Sequence, residues 1–406
     1  MLEVRREPER ENGLPKVRAL SRMLEKAWKS GLLPEPRLER SAVGPKAWRG
    51  GTGAWWEAPL EVLLRALREE ADLNPLGKTM AWGQISRAVG ARRTLQKRAA
   101  TPSKQAADAL AAPVVVLGQM RSGTTRVHRL LACDPRFGHT RLFETMSPVP
   151  RRGPDFRAFG AFAGLNFLHL MNPELRSVHP TSPHAPEEEF GLFSLCFHGA
   201  QYEAQWRIPS FAHFWEGRDT AHIYAEFRMI MQIIAQSRGA QATRPWLMKA
   251  PQFLEDPDSL IGAFPDARLI CLERDPADVV ASSASLVWNQ MRVQSDWADR
   301  QWIGREWLRK TARRAARCRD FLERRPDVPR VHLSFDAVNA DWRGEIRRVY
   351  QFLGMQLTAE VEARMAAYLQ RAEKSGFRGH RYRLEDFGLE AAAVREACGA
   401  SARLAV

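Results

Sequence analysis

The stretch PVVVLGQMRSGTTRVHRLL, residues 113–131, constrains this chain more than any other. Pro113 to Leu117 is a short apolar, β-branched run, which predicts a buried strand. A glycine turn follows, and then a helix to about Ala132. A strand, a glycine turn and a helix start aim several backbone N–H groups and the helix dipole at one point, where an anion is stabilised. Gly118 and Gly123 have the spacing of the nucleotide-triphosphate loop, but Thr124 stands where that loop carries its lysine. Arg121 lies inside the turn instead, and Ser122, Thr124 and Thr125 add hydroxyl donors. One inward arginine and no lysine suit a smaller 5′ anion that needs no metal, such as a phosphosulfate.

From residue 113 strands and helices alternate. PWLMKAP at 245–251, ARLICLERDP at 267–276 and PRVHLSFD at 329–336 read as further strands. After the second of these, Asp275 is placed as N-cap and Pro276 at the first helical position of ADVVASSASLVWNQM. WRGEIRRVYQFLG reads as an amphipathic helix closed by Gly354. Alternation of this kind implies an α/β fold of the P-loop type, with a mostly parallel sheet flanked by helices. Its ligands are expected beyond the carboxyl ends of the strands. Residues 1–111 carry helical periodicity and no catalytic motif, and read as a helical N-terminal extension; 112–406 reads as the α/β domain.

A second constellation is CLERDPADVVASSASL. Arg274 ends a strand, and Ser282 lies about two turns into the next helix. A strand-end arginine can fork onto a phosphate, and a helix serine can donate once more. Arg274 could equally pair with Glu273, Asp275 or Asp278. A second phosphate site apart from the loop implies a nucleotide with phosphates at both ends of its ribose.

Together the two stretches resemble the phosphosulfate and 3′-phosphate motifs of sulfotransferases that use 3′-phosphoadenosine 5′-phosphosulfate (PAPS). LMKAPQFLEDPDSLIGAFPDARLICLERDPADVVAS is similar to bacterial members of unassigned acceptor and, more distantly, to tyrosylprotein sulfotransferases. HRYRLEDFGL at 380–389 resembles a C-terminal element of the bacterial group. The resemblance implies that Arg121, Ser122, Gly123, Thr124 and Thr125 hold the phosphosulfate, while Arg274 and Ser282 hold the 3′-phosphate. Arg378 and His380 are expected to close over the nucleotide. The chain departs from its relatives on the adenine side: Phe335-Asp336-Ala337-Val338 replaces their Tyr-Glu-Asp-Leu.

Sulfuryl transfer needs a base for the acceptor proton and cations for the sulfuryl oxygens and the departing phosphate. Glu144, in RLFETMSPVP, matches the glutamate held to be the base in tyrosylprotein sulfotransferases. HPTSPHAPEEEF at 179–190 supplies rivals: His179, His184, Glu187, Glu188 and Glu189. The blander reading has those glutamates cap a helix beginning after Pro186. Lys249 matches a lysine near the transferring group in relatives and is expected as a catalytic cation, with Arg121. His128 reads as a packed histidine.

The formal charge of +14 admits nucleic acid or acidic lipid as partners, but the basic residues are spread among acids rather than concentrated in one tract. The reading therefore expects a small-molecule acceptor, no nucleic acid and no metal. The alternative enzyme is a P-loop small-molecule kinase, which the absent lysine disfavours. The five cysteines form no C-x-x-C pair, and no apolar leader opens the sequence, so the expected compartment is cytoplasmic. GAFAGLNFLHLM at 160–171 is too short to span a membrane and reads as a buried helix or pocket wall. The Phe- and Leu-rich segment 152–230, with Trp206 and Trp215, is expected to form the acceptor pocket, favouring a small or lipid-like acceptor that takes the sulfuryl group on a hydroxyl or an amine.

Overall fold

The computed structural model describes residues 14–44, 53–99, 110–150, 153–178, 180–238, 245–374 and 382–399. The N-terminal region is helical: α1 (Pro15–Lys29), α2 (Glu57–Glu69) and α3 (Pro75–Ala99). Then come β1 (Val114–Gly118), α4 (Thr124–Leu131), β2 (Gly138–His139), α5 (Leu142–Met146), α6 (Arg157–Met171) and α7 (Ala221–Ser237), with short helices between the last two. The second half holds β3 (Trp246–Met248), β4 (Arg268–Glu273), α8 (Pro276–Gln294), α9 (Arg300–Arg324) and β5 (Arg330–Ser334), followed by helices to residue 397.

The five strands form one parallel sheet in the order β2-β3-β1-β4-β5. Alternate residues of each strand enter different cores, as a period of two requires. Val115, Leu117, Met248, Leu269 and Cys271 join one cluster with Leu63, Leu64 and Ile85 of the N-terminal helices and Phe227 of α7. Val114, Val116, Leu247, Ile270 and Leu333 join another with Val127 and Leu130 of α4 and with Ile346. The N-terminal helices thus share the sheet's own core. Arg92 of α3 strengthens that junction. Its guanidinium lies 5.2 and 5.0 Å from the rings of Trp55 and Trp56 and pairs with Glu226 at 2.8 Å.

Register brings the strand ends to one edge. Gly118 pairs with Leu272, Val115 with Met248, and Glu273 with Ser334. The glycine turn, Lys249 and Arg274 therefore leave the sheet side by side. Asp275 caps α8 by accepting from the Ala277 N–H at 2.9 Å, with Pro276 at the helix start. The two-residue β2 had no signal in the sequence.

Two expectations change. The helix containing 160–171 is not buried: only Ala161 and Met171 of α6 are, because its neighbours, α1, α5 and the short helix at 174–178, leave much of its surface open. Trp206 and Trp215, expected in the acceptor pocket, are buried in the core. Trp206 stacks on Tyr202 at 5.4 Å and donates to Gln294 at 2.8 Å, while Trp215 donates to the Phe197 carbonyl at 3.0 Å. A buried indole usually finds such a partner for its N–H.

Candidate active site

The turn from β1 to α4 is built on two glycines that no other residue could replace without movement. A Cβ at Gly118 would lie 2.7 Å from Thr124 Cγ2 and 2.8 Å from the Leu272 carbonyl oxygen. Gly123 has φ +93°, and its Cβ would meet Phe335 Cδ2 at 2.6 Å. Arg121 itself adopts φ 69°, a left-handed conformation that a non-glycine residue takes at some cost. The turn is closed by Ser122, whose N–H and hydroxyl both donate to the Gln119 carbonyl at 3.1 and 2.7 Å. Gln119 donates to Thr311 O of α9 at 3.1 Å, and Ser283 of α8 donates to Met120 O at 3.3 Å. The loop is thus held by two helices besides its own.

On the β4 side, Arg121 Nε donates to Ser282 Oγ at 3.0 Å, and Arg274 Nη1 donates to the Arg121 carbonyl at 3.0 Å. The structure therefore unites Arg121, Arg274 and Ser282, although the resemblance assigns Arg121 to the phosphosulfate and the other two to the 3′-phosphate. Arg274 also stacks on Phe335, 4.2 Å from its ring, and meets Asp278 at 3.2 Å. The surface-pair reading of Arg274 thus coexists with its place beside the loop. Its Nε is buried without a hydrogen-bond partner among the described residues.

On the β3 side, the buried Lys249 donates through Nζ to Thr125 Oγ1 at 3.1 Å and to Glu188. Glu188 is also close enough for its charge to act on Arg121. Its neighbours point elsewhere. Glu189 is fully buried, accepting from the Lys249 N–H at 2.8 Å and from Thr140 Oγ1 at 3.1 Å. Burial pushes its carboxyl up to about 8, against the pull of those two donors and the Lys249 charge. Glu187 accepts from Thr181 at 2.6 Å, with Arg129 at 3.9 Å.

The helix that follows begins at Phe190, and no glutamate side chain caps it, contrary to the capping expectation. The run is held in place by residues 140–143: Arg141 bridges Pro186, and the N–H groups of Leu142 and Phe143 donate to Ala185 and Pro183.

Glu144 stands apart from this cluster. It is fully buried in a capping box at the start of α5. Its carboxylate accepts from the Arg141 N–H at 2.9 Å, from the Arg141 guanidinium at 2.7 Å, and from Arg238. Burial drives the carboxyl upward, yet the two arginines hold it below its ordinary value. Every described hydrogen bond of that carboxylate goes to Arg141 or Arg238. His184 packs edge-on to Phe143 at 5.4 Å. His128 is fully buried with both ring nitrogens unpartnered among the described residues, and burial holds its imidazole well below the usual value. Arg378, His380 and His179 lie outside the described residues.

The expected set therefore divides. Ser122, Gly123, Thr124, Thr125, Arg121, Arg274, Ser282 and Lys249 converge on the loop; Glu144 does not. Glu188 is the carboxylate that the convergence includes.

A parallel α/β sheet whose glycine loop opens between arginines and a lysine is a phosphate-loop architecture. Residues 113–359 match the model of the sulfotransferase family, and the chain belongs to that family. It is therefore a transferase. Among solved structures it is similar to the sulfotransferase STF1 of Mycobacterium tuberculosis, at 25% identity and a TM-score of 0.73, over 85% of this chain and 92% of that one. It also resembles the sulfotransferase STF9 of Mycobacterium avium, at 21% identity and a TM-score of 0.70, over 94% and 95% of the two chains. The latter likeness is one of fold. No curated protein matches the chain. No helix among the described residues is long and apolar enough to cross a membrane.

Proposed function

We propose that this sulfotransferase moves a sulfuryl group from PAPS to a hydroxyl of a small or lipid-like acceptor by in-line displacement, with Glu188 as base. The observation that carries this reading is the opening of one glycine loop between two cationic clusters. Arg121, Arg274 and Ser282 stand on one side, and Lys249 with Thr125 on the other. A nucleotide with a 5′-phosphosulfate and a 3′-phosphate fits that division. The Cβ-free faces of Gly118 and Gly123 let an anion approach the backbone, and the orphaned Arg274 Nε gains an acceptor.

In this reading the loop N–H groups and Thr125 hold the 5′ anion, while Arg274 and Ser282 hold the 3′ one. Glu188 takes the proton as the acceptor oxygen bonds to sulfur. The bond from sulfur to the 5′-phosphate oxygen breaks, and Lys249 steadies the charge that collects there. Arg121, between Glu188 and Ser282, links the two phosphate sites. Glu144 serves instead to fix Arg141 and the start of α5.

Because fixed cations do this work, transfer of label from ³⁵S-PAPS to an alcohol panel persists in EDTA. Strict dependence on Mg²⁺ would move the assignment to a kinase-type site.

A further inference from the structure

Trp288, late in α8, carries two arginines on its ring. The Arg292 guanidinium carbon lies 4.3 Å from the ring centre, and that of Arg300, the first residue of α9, lies 4.1 Å from it. Whatever their directions, the two carbons are no further apart than the sum of those distances, about 8 Å. Both arginines are half-buried, and neither guanidinium has an ion pair or a hydrogen bond among the described residues. Trp288 is only 9% exposed, and its N–H also lacks an acceptor among them.

Two like charges held together without a counter-ion are costly, and the chain's other buried arginines avoid that cost. Arg92, also stacked on indoles, pairs with Glu226 at 2.8 Å, and Arg136 pairs with Asp134 at 2.7 Å. The nearby acids do not neutralise this pair. Burial holds the Arg292 guanidinium below its ordinary value; the charge of Glu174 opposes that, and the charge of Arg300 adds to it. Asp299 instead caps α9, accepting from the N–H groups of Gln301 and Trp302 at 2.9 and 3.1 Å. Arg300 also opens a helix of 25 residues, where the dipole favours an anion over a cation.

We infer that Trp288, Arg292 and Arg300 form a second oxyanion site, apart from the glycine loop, that takes a phosphate or sulfate ester. A tetrahedral oxyanion accepting charge-assisted hydrogen bonds of about 2.8 Å from two guanidiniums sits roughly 4 Å from each carbon, which the spacing here permits. Two cations match the charge of a phosphate monoester, and its three oxygens serve both planar forks. Trp288 holds those forks by cation–π contact. Helix α8 joins this site to the first. Ser282, which accepts from Arg121, precedes Arg292 by ten residues, about 15 Å along the axis. The ester is thus the far end of an elongated acceptor, or a free anion. Only the first source rests on the sulfotransferase reading.

The test is equilibrium dialysis of the full chain against ³²P-labelled inorganic phosphate, with chloride matching the ionic strength. Arg292→Gln with Arg300→Gln should remove one bound phosphate per chain, or weaken it at least about tenfold, the lower worth of one charge-assisted hydrogen bond. Arg121→Gln, which disturbs the glycine loop, should keep that phosphate. Arg300→Lys keeps the charge without the fork and should bind more weakly than the wild type. Without phosphate, the double variant should melt no lower than the wild type, since it relieves a repulsion.

Sulfuryl transfer to alcohols with and without a terminal phosphate ester separates the sources. A raised KM for the phosphorylated alcohol alone, at unchanged kcat, in the double variant assigns the site to the acceptor; equal KM values in both chains assign it to a free anion. The dialysis needs no turnover, so it stands or fails apart from the proposed reaction. Undiminished phosphate binding by the double variant would overturn the inference. So would a lowered melting temperature with the phosphate count unchanged, which would leave the arginines as mere packing on Trp288.

Discussion

Three adjacent glutamates end in three different environments, and their roles follow from that divergence. Glu187 meets a threonine, Glu188 meets Lys249 beside the loop, and Glu189 turns into the core. In a run that is not yet helical, neighbouring side chains point to opposite sides, so identical residues can serve unlike purposes. Glu144, by contrast, has two arginines on its carboxylate and contributes to the fold. The two carboxylates therefore predict opposite phenotypes. Glu188→Gln keeps an acceptor beside Lys249 and should keep nucleotide affinity while lowering kcat by roughly 10² to 10⁴, the usual worth of a positioned base. Glu144→Ala should leave the half-buried Arg141 and Arg238 guanidiniums without their carboxylate and cost about 1.5–3 kcal/mol of stability. Denaturant titration beside steady-state kinetics separates the two, and a catalytic loss confined to the Glu144 variant would return the base to that position.

Among the elements, Glu189 fastens the end of β3 to the glutamate run, through the Lys249 N–H and the Thr140 hydroxyl. Its carboxyl rises from 4.5 to about 8 on folding. Between those values the folded chain holds a proton that the unfolded chain has released, so stability falls as pH rises and levels above about 8. The half-buried His139, lowered to about 4, and His128 act in the opposite sense below 6.5. The clear window is thus about pH 6.5 to 8, where the melting temperature should decline. Glu189→Gln keeps an acceptor for the Lys249 N–H and should flatten that decline; an unchanged slope would mean another group is responsible.

Much at this scale was legible in the sequence. The strands at 114–118, 268–273 and 330–334, and the capped helix after Asp275, follow from apolar runs, an Asp-Pro start and glycine placement. Two-residue β2 carries no period to read. The helical pattern of α6 was visible, but its exposure was not: apolar content specifies what a face prefers, and only the fold decides whether a neighbour arrives. The same limit applied to the glutamate run, where composition fixed the charge and tertiary pairing with residues 140–143 fixed its direction.

At the scale of the molecule, the parallel sheet gathers the glycine turn, Lys249 and Arg274 at one edge, and helices from both halves of the chain brace them. The Arg-rich surface is uneven in its use. Arg92, Arg136 and Arg238 tie elements together, while Arg121 and Arg274 stand at the loop with a lysine across from them. That arrangement is the basis for a donor with two separated phosphates, and calorimetric titration tests it most directly. 3′-Phosphoadenosine 5′-phosphate should bind at least about tenfold more tightly than adenosine 5′-monophosphate, since one charge-assisted hydrogen bond is worth roughly 1.5–3 kcal/mol. Arg274→Ala should erase most of the difference. Equal affinity of the wild-type chain for the two nucleotides would contradict the account.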